Sequence, residues 1–379
     1  MVSRREPLNI MEMRESARKR LPRAVFDYVD GGAEDESTMA RNTAGFDAMK
    51  LRPRVMVDVS TRSLATTVCG LQLSVPFLIA PTGLSGMVHP DGELGGMLVA
   101  LRHGTNLILS TAASYSMEEV ADVTGSAPWF QLYPAPDRAL SDALLERARA
   151  VGCPAVVVTL DCPIVGRRER DLRNGAALPP RPSMANIANL ARHPRWVSGI
   201  VRGKRATMKH FEPTAGMIEA TTLAARSLRL LDPSLTWDAL TQIRERWTGP
   251  LLVKGLMHPN DAREAVSRGA DGVIVSNHGG RQLDGAMASI EALGPVVDAV
   301  AESCDVLMDG GIRRGVHIAK ALALGAKAVL IGRPWLYGLA QGGTAGAEHA
   351  VQMLQSELDQ ALALSGIASV SHLDRSLFG

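Results

Sequence analysis

The stretch VLMDGGIRRGVHIAKALALGAKAVLIGR, residues 306–333, contains the unit from which the fold is predicted. An apolar run at 306–309 is followed by two glycines, by a segment with helical spacing of apolar residues at 314–324, and by a second apolar run at 328–331. Short apolar runs beside helical patterns are typical of strands buried on both faces of a parallel sheet. The stretch therefore predicts a strand–helix–strand unit whose helix ends at Gly325.

Six further apolar runs repeat this alternation earlier in the chain, at 77–80, 107–110, 129–132, 155–160, 251–254 and 272–276. The segments between them carry helical patterns, among them 91–102, 137–151 and 259–268. Eight such units predict an α/β fold, a closed (β/α)8 TIM barrel. An open doubly wound sheet is the alternative, but no Gly-x-Gly-x-x-Gly opening accompanies the units.

The remainder of the chain is predicted to decorate one barrel. An N-terminal helical segment, 1–60, contains helices at 10–20 and 23–29, the second ending at Gly31 and Gly32. A long insertion follows the fourth strand, at about 166–235, where a barrel normally needs a few dozen residues between strands. We therefore expect a single domain over 1–379.

Composition and charge limit the class of protein. The 379 residues are 46% hydrophobic, which excludes disorder, and 41 Lys and Arg against 39 Asp and Glu leave a net charge of +2. This balance does not favour nucleic-acid binding. The segment 167–209 nevertheless carries eleven basic residues against two acidic ones.

Cysteine spacing and the lengths of the apolar segments indicate the cellular compartment. Cys69, Cys153, Cys162 and Cys304 lie far apart, with no pattern of a disulfide framework or a metal site, so we expect free thiols and no metal. No signal peptide and no run of about 18 apolar residues is present, which predicts a cytoplasmic protein.

Polar residues close every apolar run. In a TIM barrel the active site forms at the carboxyl ends of the strands, so these residues should meet at one mouth. They are Thr82 with Gly83, Ser110, Gln131 with Tyr133, Thr159 with Asp161, Lys254, Ser276 with His278 and Arg281, Asp309 with Arg313, and Gly332 with Arg333.

Two of these strand ends suggest particular chemistry. His278 can take up a proton near neutral pH, and Arg281, three residues later, can hold a carboxylate through two parallel hydrogen bonds. Asp161 is a possible partner that stabilises the imidazolium form of His278. The glycines and arginines at 309–315 and 331–333 follow the last two strands, the usual phosphate site of these barrels, although tight turns would also explain them.

Four motifs resemble one family over nearly the whole chain: SNHGGRQLD at 276–284, LVKG at 252–255, DGGIRRG at 309–315 and QLY at 131–133. The family is that of the FMN-dependent 2-hydroxy acid oxidases and dehydrogenases, which include mandelate dehydrogenase, lactate dehydrogenase and monooxygenase, and glycolate oxidase. The resemblance implies FMN as cofactor. It also implies oxidation of an L-2-hydroxy acid to the 2-oxo acid.

The resemblance assigns roles residue by residue. His278 would be the base and Asp161 would orient it, while Lys254 would lie against the flavin pyrimidine. Arg281, Tyr28, Arg168 and Tyr133 would bind the substrate. The expected flavin contacts are Pro81, Thr82, Gly83, Ser110, Gln131, Thr159, Lys254 and Ser276, and the expected ribityl and phosphate contacts are Asp309, Gly311, Arg313, Gly332 and Arg333.

Two small residues bear on substrate and electron acceptor. Oxidases of the family commonly have alanine where this chain has Gly83, whereas mandelate and lactate dehydrogenases and lactate monooxygenase resemble this chain in having glycine. The glycine could also merely serve the turn after the first strand. Ala112 replaces the bulky aromatic of glycolate oxidase, which favours lactate or mandelate as the substrate. The alternatives are an oxygen-reducing oxidase or monooxygenase and, in another class, a flavin-binding protein without hydroxy-acid turnover.

The insertion bears on partners. Within 184–205 apolar residues mix with Arg192, Arg195 and further basic residues, a composition suited to an anionic membrane surface. Membrane-associated members of the family have a similar insertion and pass electrons to quinone. A surface or subunit-contact loop is the alternative. The resemblance also implies a homotetramer or octamer, in the cytoplasm or on the inner face of the membrane.

Overall fold

The computed structural model describes residues 6–174, 184–203, 207–211 and 231–379. Before the barrel, the described chain forms three helices and a hairpin: α1 (Ile10–Arg20), α2 (Arg23–Asp30), α3 (Ser37–Ala48), β1 (Thr66–Val68) and β2 (Leu71–Leu73). Eight parallel strands follow: β3 (Phe77–Ile79), β4 (Ile108–Ser110), β5 (Trp129–Leu132), β6 (Val156–Thr159), β7 (Leu251–Leu256), β8 (Gly272–Val275), β9 (Asp305–Met308) and β10 (Ala328–Ile331).

The eight strands close into the predicted barrel. Each strand from β4 to β10 pairs with the next in parallel register, and β10 pairs with β3. A bridge between Ile79 and Leu107 joins the first strand to the second, with the Ile79 amide donating to the Asn106 carbonyl over 3.1 Å. The prediction of a TIM barrel is confirmed.

Helices surround the barrel. They are α4 (Gly92–Arg102), α5 (Met117–Thr124), α6 (Arg138–Val151), α7 (Glu169–Arg173), α8 (Met184–Ala191), α9 (Pro194–Gly203), α10 (Trp237–Arg246), α11 (Pro259–Ser267), α12 (Ser289–Val300), α13 (Gly315–Ala323) and α14 (Arg333–Ser365). The predicted helices appear within one residue of these bounds. Gly325, expected after α13, has a left-handed φ of 110°, a conformation that glycine adopts without strain. None of the described helices is long and apolar enough to cross a membrane.

Alternation along the strands separates two apolar cores. Leu78, Ile108 and Trp129 point into the barrel, whereas their neighbours, such as Phe77 and Phe130, face the helices. This period of two is what a strand covered on both sides requires. The same alternation places the next inward residue of each strand at the carboxyl end of the barrel, where the candidate site lies.

The β1–β2 hairpin, which sequence reasoning missed, covers the opposite end. Val68 and Leu73 belong to the core inside the barrel, and the Cys69 amide donates to the Asp305 carboxylate at the start of β9 over 2.6 Å. Helix α3 was also missed. Asn42 on α3 exchanges two 2.8 Å hydrogen bonds with Asn277, which anchors the N-terminal segment beside the strand-end loops.

The insertion after β6 docks on the N-terminal segment and on the loop after β3. Arg170 of α7 forms ion pairs with Asp30, at 2.9 Å, and with Glu36. The Trp196 indole N–H of α9 donates to the Met87 carbonyl over 2.8 Å. Residues 175–183, 204–206 and 212–230 lie outside the described residues, so part of the predicted 166–235 and 184–205 segments is not described. The predicted single domain over 1–379, with its 1–60 segment, stays a prediction.

Candidate active site

A ring of polar side chains crowns the apolar interior of the barrel. Ser110, Gln131, Thr159, Lys254 and Ser276 each come two residues after an apolar inward residue of the same strand, so alternation turns them inward as well. All five are buried. The sequence folds in this way because these five strands each continue their apolar run up to a polar residue that keeps the inward direction.

Hydrogen bonds connect the ring but leave some of its atoms unused. Ser110 donates to Gln131 over 3.1 Å, and the Lys254 ammonium lies 2.8 Å from the Ser276 hydroxyl and 3.0 Å from the Asp309 carboxylate. Burial acts to lower the pKa of Lys254, but Asp309 and Asp161 outweigh it and raise the pKa. The buried Gln131 amide nitrogen, Thr159 hydroxyl and Asp309 Oδ1 have no hydrogen-bond partner among the described residues.

A cavity of about 790 Å³ opens above this ring. Most of the predicted site residues line it: Tyr28, Pro81, Thr82, Gly83, Ser110, Tyr133, Arg168, Lys254, His278, Arg281, Asp309, Gly311, Arg313, Gly332 and Arg333. Four others, Gln131, Thr159, Asp161 and Ser276, stand behind the lining residues rather than among them. The structure thus brings the predicted residues to one place, while their individual roles stay predictions.

The histidine of the site is held by a carboxylate. His278 Nδ1 lies 3.0 Å from Asp161 Oδ1, so Nδ1 donates to this carboxylate. The second ring nitrogen, Nε2, is then available to a ligand. Burial acts to raise the pKa of Asp161, but His278 and Lys254 lower it to about 2, so the carboxylate is ionised. His278 itself has a left-handed φ of 58°. Gly279 and Gly280, which follow it, also have left-handed φ angles. Backbone strain of this kind at a non-glycine residue often accompanies a functional position.

Two guanidinium groups make the cavity positive. Arg281 donates to the carbonyls of Tyr28 and Gly31 over 2.7 and 3.0 Å, and its charge lies 5.2 Å from the centre of the Tyr28 ring. Burial and the neighbouring Arg168 lower the pKa of Arg281 to about 10. Arg168 has an acidic neighbour, Asp171, at 3.5 Å. The excess of positive charge suits an anionic ligand.

The far end of the cavity carries the glycines and arginines after β9 and β10. Gly311 has a φ of 81°, and a Cβ there would overlap the Asn42 carbonyl oxygen. The half-buried Arg313 donates to the Ile312 carbonyl over 2.8 Å, and desolvation lowers its pKa. The Arg333 guanidinium donates to the carbonyls of Val29, Gly31 and Gly279. Arg333 therefore ties the N-terminal segment to the loop of His278, in addition to any contact with phosphate.

Several cavity residues were missed by sequence reasoning. Leu172, Met208 and Leu231 line the cavity from the insertion, and Cys162 lines it beside His278. Apolar residues in a long insertion carry no distinguishing pattern, because nothing in their spacing shows which of them face a ligand. Cys162 is next to Asp161 in sequence, but its approach to His278 depends on the barrel.

The chain matches the description FMN-dependent dehydrogenase over residues 17–379. The chain belongs to this family. Its relatives include the L-lactate oxidase of Nostoc sp., 45% identical over 98% of this chain and 97% of the relative, and an L-lactate dehydrogenase of Caulobacter sp., 40% identical over 97% of each. The crystal structure of the monotopic membrane protein (S)-mandelate dehydrogenase is 38% identical, with a TM-score of 0.94 over 99% of this chain and 100% of that one.

The residues of the cavity fit the FMN that defines this family. The unpartnered Gln131 amide and Thr159 hydroxyl are buried hydrogen-bonding groups that a heteroaromatic ring with polar edges would satisfy, and buried groups of this kind are rarely left unpaired. Arg313, which lines the cavity beside the glycines of the last two strands, suits the phosphate. The chain is thus an FMN-dependent oxidoreductase of the 2-hydroxy acid type, which confirms the predicted family, cofactor and class of enzyme.

Proposed function

We propose that this protein oxidises an L-2-hydroxy acid with a lactate- or mandelate-like side chain to the 2-oxo acid and passes the electrons to a quinone. The observation that carries this proposal is the placement of a base and a carboxylate clamp around one cavity: His278, hydrogen-bonded to Asp161, and Arg281 both line it. Oxidation of a hydroxy acid needs both groups and an electron acceptor.

In this proposal Arg281 binds the substrate carboxylate, and Arg168 adds positive charge from the insertion. Tyr28 of α2 and Tyr133 after β5 contact the substrate in this proposal. Burial raises the pKa of both hydroxyls, so both remain protonated and can donate hydrogen bonds. His278 Nε2 accepts a proton from the substrate. Asp161 then stabilises the imidazolium through the 3.0 Å contact with Nδ1.

FMN, when bound, accepts the two electrons removed from the substrate. Pro81, Thr82 and Gly83 lie after β3 and would contact the flavin ring. The polar side chains at the strand ends would contact it as well; these are Ser110, Gln131, Thr159, Lys254 and Ser276. Lys254 brings a positive charge, because the neighbouring Asp309 and Asp161 keep its ammonium group protonated. Asp309, Gly311, Arg313, Gly332 and Arg333 would hold the ribityl chain and phosphate.

The walls of the cavity favour a substrate with a side chain larger than hydrogen. Gly83 and Ala112 are small residues on one wall, and a Cβ added at Gly83 would lie 3.2 Å from the Ala112 Cβ and 3.4 Å from the Tyr28 hydroxyl. Met208 and Leu231 supply an apolar wall from the insertion. Methyl and phenyl groups suit such a surface, because both gain from burial against apolar atoms.

The choice of electron acceptor has a second candidate. Gly83 supports a dehydrogenase that uses quinone, whereas the 45% identical relative from Nostoc is an L-lactate oxidase, which supports reduction of oxygen. The same His278, Arg281 and Lys254 would serve either reaction. The two candidates differ only in what reoxidises the reduced enzyme.

One experiment tests the proposal. The purified holoenzyme is mixed anaerobically with L-lactate or L-mandelate, the flavin absorbance is followed, and the reduced enzyme is then mixed with oxygen or with a soluble quinone analogue. We expect bleaching by at least one acid and faster reoxidation by the quinone. Faster reoxidation by oxygen, with peroxide or a decarboxylated acid as product, would favour the oxidase or monooxygenase. Absence of bleaching by any L-2-hydroxy acid would leave a flavin-binding protein without this activity.

We further propose peripheral contact with the inner face of a membrane through 184–205. Ile187 and Val201 are exposed on α8 and α9, beside Arg192 and Arg195, and the mandelate dehydrogenase with the same fold is a monotopic membrane protein. Trp196 does not contribute to this surface, since its indole is bound to the Met87 carbonyl. Replacing Ile187 and Val201 by Asp should abolish sedimentation with anionic vesicles and leave turnover of a soluble acceptor intact.

The homo-oligomer is likewise a proposal. We expect a tetramer or octamer, which light scattering of the purified holoenzyme measures directly. A monomer at micromolar concentration would contradict it.

A further inference from the structure

Three side chains of different metal-ligating types meet in the candidate site, and one of them, His278, is the base of the proposed reaction. Cys162 Sγ lies 3.3 Å from Asp161 Oδ1 and 3.4 Å from His278 Nδ1, and the latter two atoms lie 3.0 Å apart. Among the described residues, these three form the one set of His, Cys, Asp or Glu ligands whose donor atoms all lie within 4.8 Å of one another.

The set retains capacity for a ligand. Asp161 Oδ2 is buried and has no hydrogen-bond partner among the described residues, and Cys162 and His278 both line the cavity, so that a small ion can reach them. The thiol has no part in the reaction proposed above. Its presence beside the hydrogen-bonded His278 and Asp161 is therefore a property of this chain that the proposed function leaves unexplained.

Two of the three distances match those of a tetrahedral metal site, and the 3.0 Å between Asp161 Oδ1 and His278 Nδ1 has to widen by a few tenths of an ångström when the ion binds. A zinc ion holds nitrogen and oxygen ligands at about 2.0–2.2 Å and sulfur at about 2.3 Å, which separates neighbouring ligand atoms by roughly 3.3–3.7 Å. We propose that Cys162, Asp161 and His278 form an inhibitory site for a thiophilic divalent cation such as Zn²⁺. Three protein ligands leave the fourth position open toward the cavity.

Charge and proton balance explain both binding and inhibition. Burial and the neighbouring Asp161 raise the pKa of the Cys162 thiol, so the cation itself has to displace the thiol proton to solvent. The resulting thiolate and the Asp161 carboxylate together then neutralise the cation. The ion replaces the proton on His278 Nδ1, and the neutral imidazole then carries its proton on Nε2. Nε2 can no longer accept a proton from the substrate. The inhibition rests on the proposed function, whereas the binding does not.

The test uses the holoenzyme and two readouts. Cd²⁺ is titrated into the FMN-loaded enzyme, and the cadmium–thiolate charge-transfer absorbance is recorded without substrate. In parallel, Zn²⁺ inhibition of flavin reduction is measured relative to the metal-free rate of each variant. Cys162→Ala removes the thiol, Cys162→Ser keeps a hydrogen-bond donor but is a poor ligand for a soft ion, and Cys153→Ala removes a buried cysteine elsewhere.

We expect a charge-transfer band and Zn²⁺ inhibition in the wild type and in Cys153→Ala. Both Cys162 variants should lose the band and require at least about tenfold more Zn²⁺ for half inhibition. A wild type without the band, or Cys162 variants that retain it, would overturn the proposal. A band that depends on Cys162 in an enzyme that no hydroxy acid reduces would support the metal site and refute only the proposed function.

Discussion

The strand ends of the barrel and the insertion after β6 line the same cavity with different chemistry. The strand ends contribute Lys254, His278 and Arg281, each held by hydrogen bonds to other parts of the barrel or the N-terminal segment. The insertion contributes Arg168 and the apolar Met208 and Leu231. In the proposed function the reacting groups therefore come from the barrel, whereas the residues proposed to limit substrate size and to contact a membrane come from the insertion.

The largest effect should come from the base. His278→Gln keeps a side chain of similar size but removes the proton acceptor, so flavin reduction should slow by about a thousandfold or more. Stopped-flow absorbance under anaerobic conditions measures it, and bound FMN per chain serves as the control. Reduction within tenfold of the wild-type rate would refute the role of His278.

Two arginines compare the regions directly. Arg281→Met should lower kcat/KM by at least about a hundredfold, because a hydrogen bond to a charged group contributes roughly 1.5–3 kcal/mol and the carboxylate clamp makes two. Arg168→Met should cost less, about tenfold, since its neighbour Asp171 already offsets part of its charge. Steady-state kinetics with L-mandelate measure both. A larger loss of kcat/KM for Arg168→Met would show that Arg168 of the insertion, and not Arg281 of the barrel, is the main binding group for the substrate carboxylate.

Acidification should weaken the attachment of the insertion. His210 is buried, with Nε2 accepting from the Met117 amide and Nδ1 donating to the Thr111 carbonyl. Burial and the nearby Arg147 lower its pKa from 6.5 to about 4. The unfolded chain therefore binds more protons between these values, and the free energy of unfolding falls as the pH falls.

The expected loss from His210 is about 2 kcal/mol between pH 7 and pH 5. Urea unfolding at the two pH values measures it in the wild type and in His210→Gln, which should lose that part of the pH dependence. The exposed His372→Gln is the matched control. Equal pH dependence in the wild type and His210→Gln would show that His210 titrates alike in the folded and unfolded states.

The smallest effect should be on substrate choice. Met208→Ala shortens a side chain in the apolar wall and so enlarges the cavity. The ratio of kcat/KM for L-mandelate to that for L-lactate should therefore rise about tenfold. Met97→Ala is the matched control, because Met97 is buried in the core and does not line the cavity. An unchanged ratio in Met208→Ala would mean that the insertion does not contact the side chain of the substrate.

The barrel was predictable because each strand carries its own signal. Apolar runs that end in Ser110, Lys254 or Ser276 identify both the strand and the residue at its mouth, so alternation alone places them together. The apolar wall formed by Met208 and Leu231 was not predictable, since no periodicity marks it. The approach of Cys162 to His278, 116 residues away in sequence, depends on how β6 and the loop after β8 sit in the closed barrel.

The most direct test of the proposed site is anaerobic flavin reduction by the two enantiomers of mandelate. Arg281 fixes the carboxylate and His278 the hydroxyl of the substrate, so only one enantiomer also turns its α-hydrogen toward the electron acceptor, and the proposed function assigns this to the L hand. L-mandelate should therefore bleach the flavin, and D-mandelate should leave it oxidised over the same period. Equal bleaching by both enantiomers, or bleaching by D-mandelate alone, would contradict the arrangement of base and clamp described here.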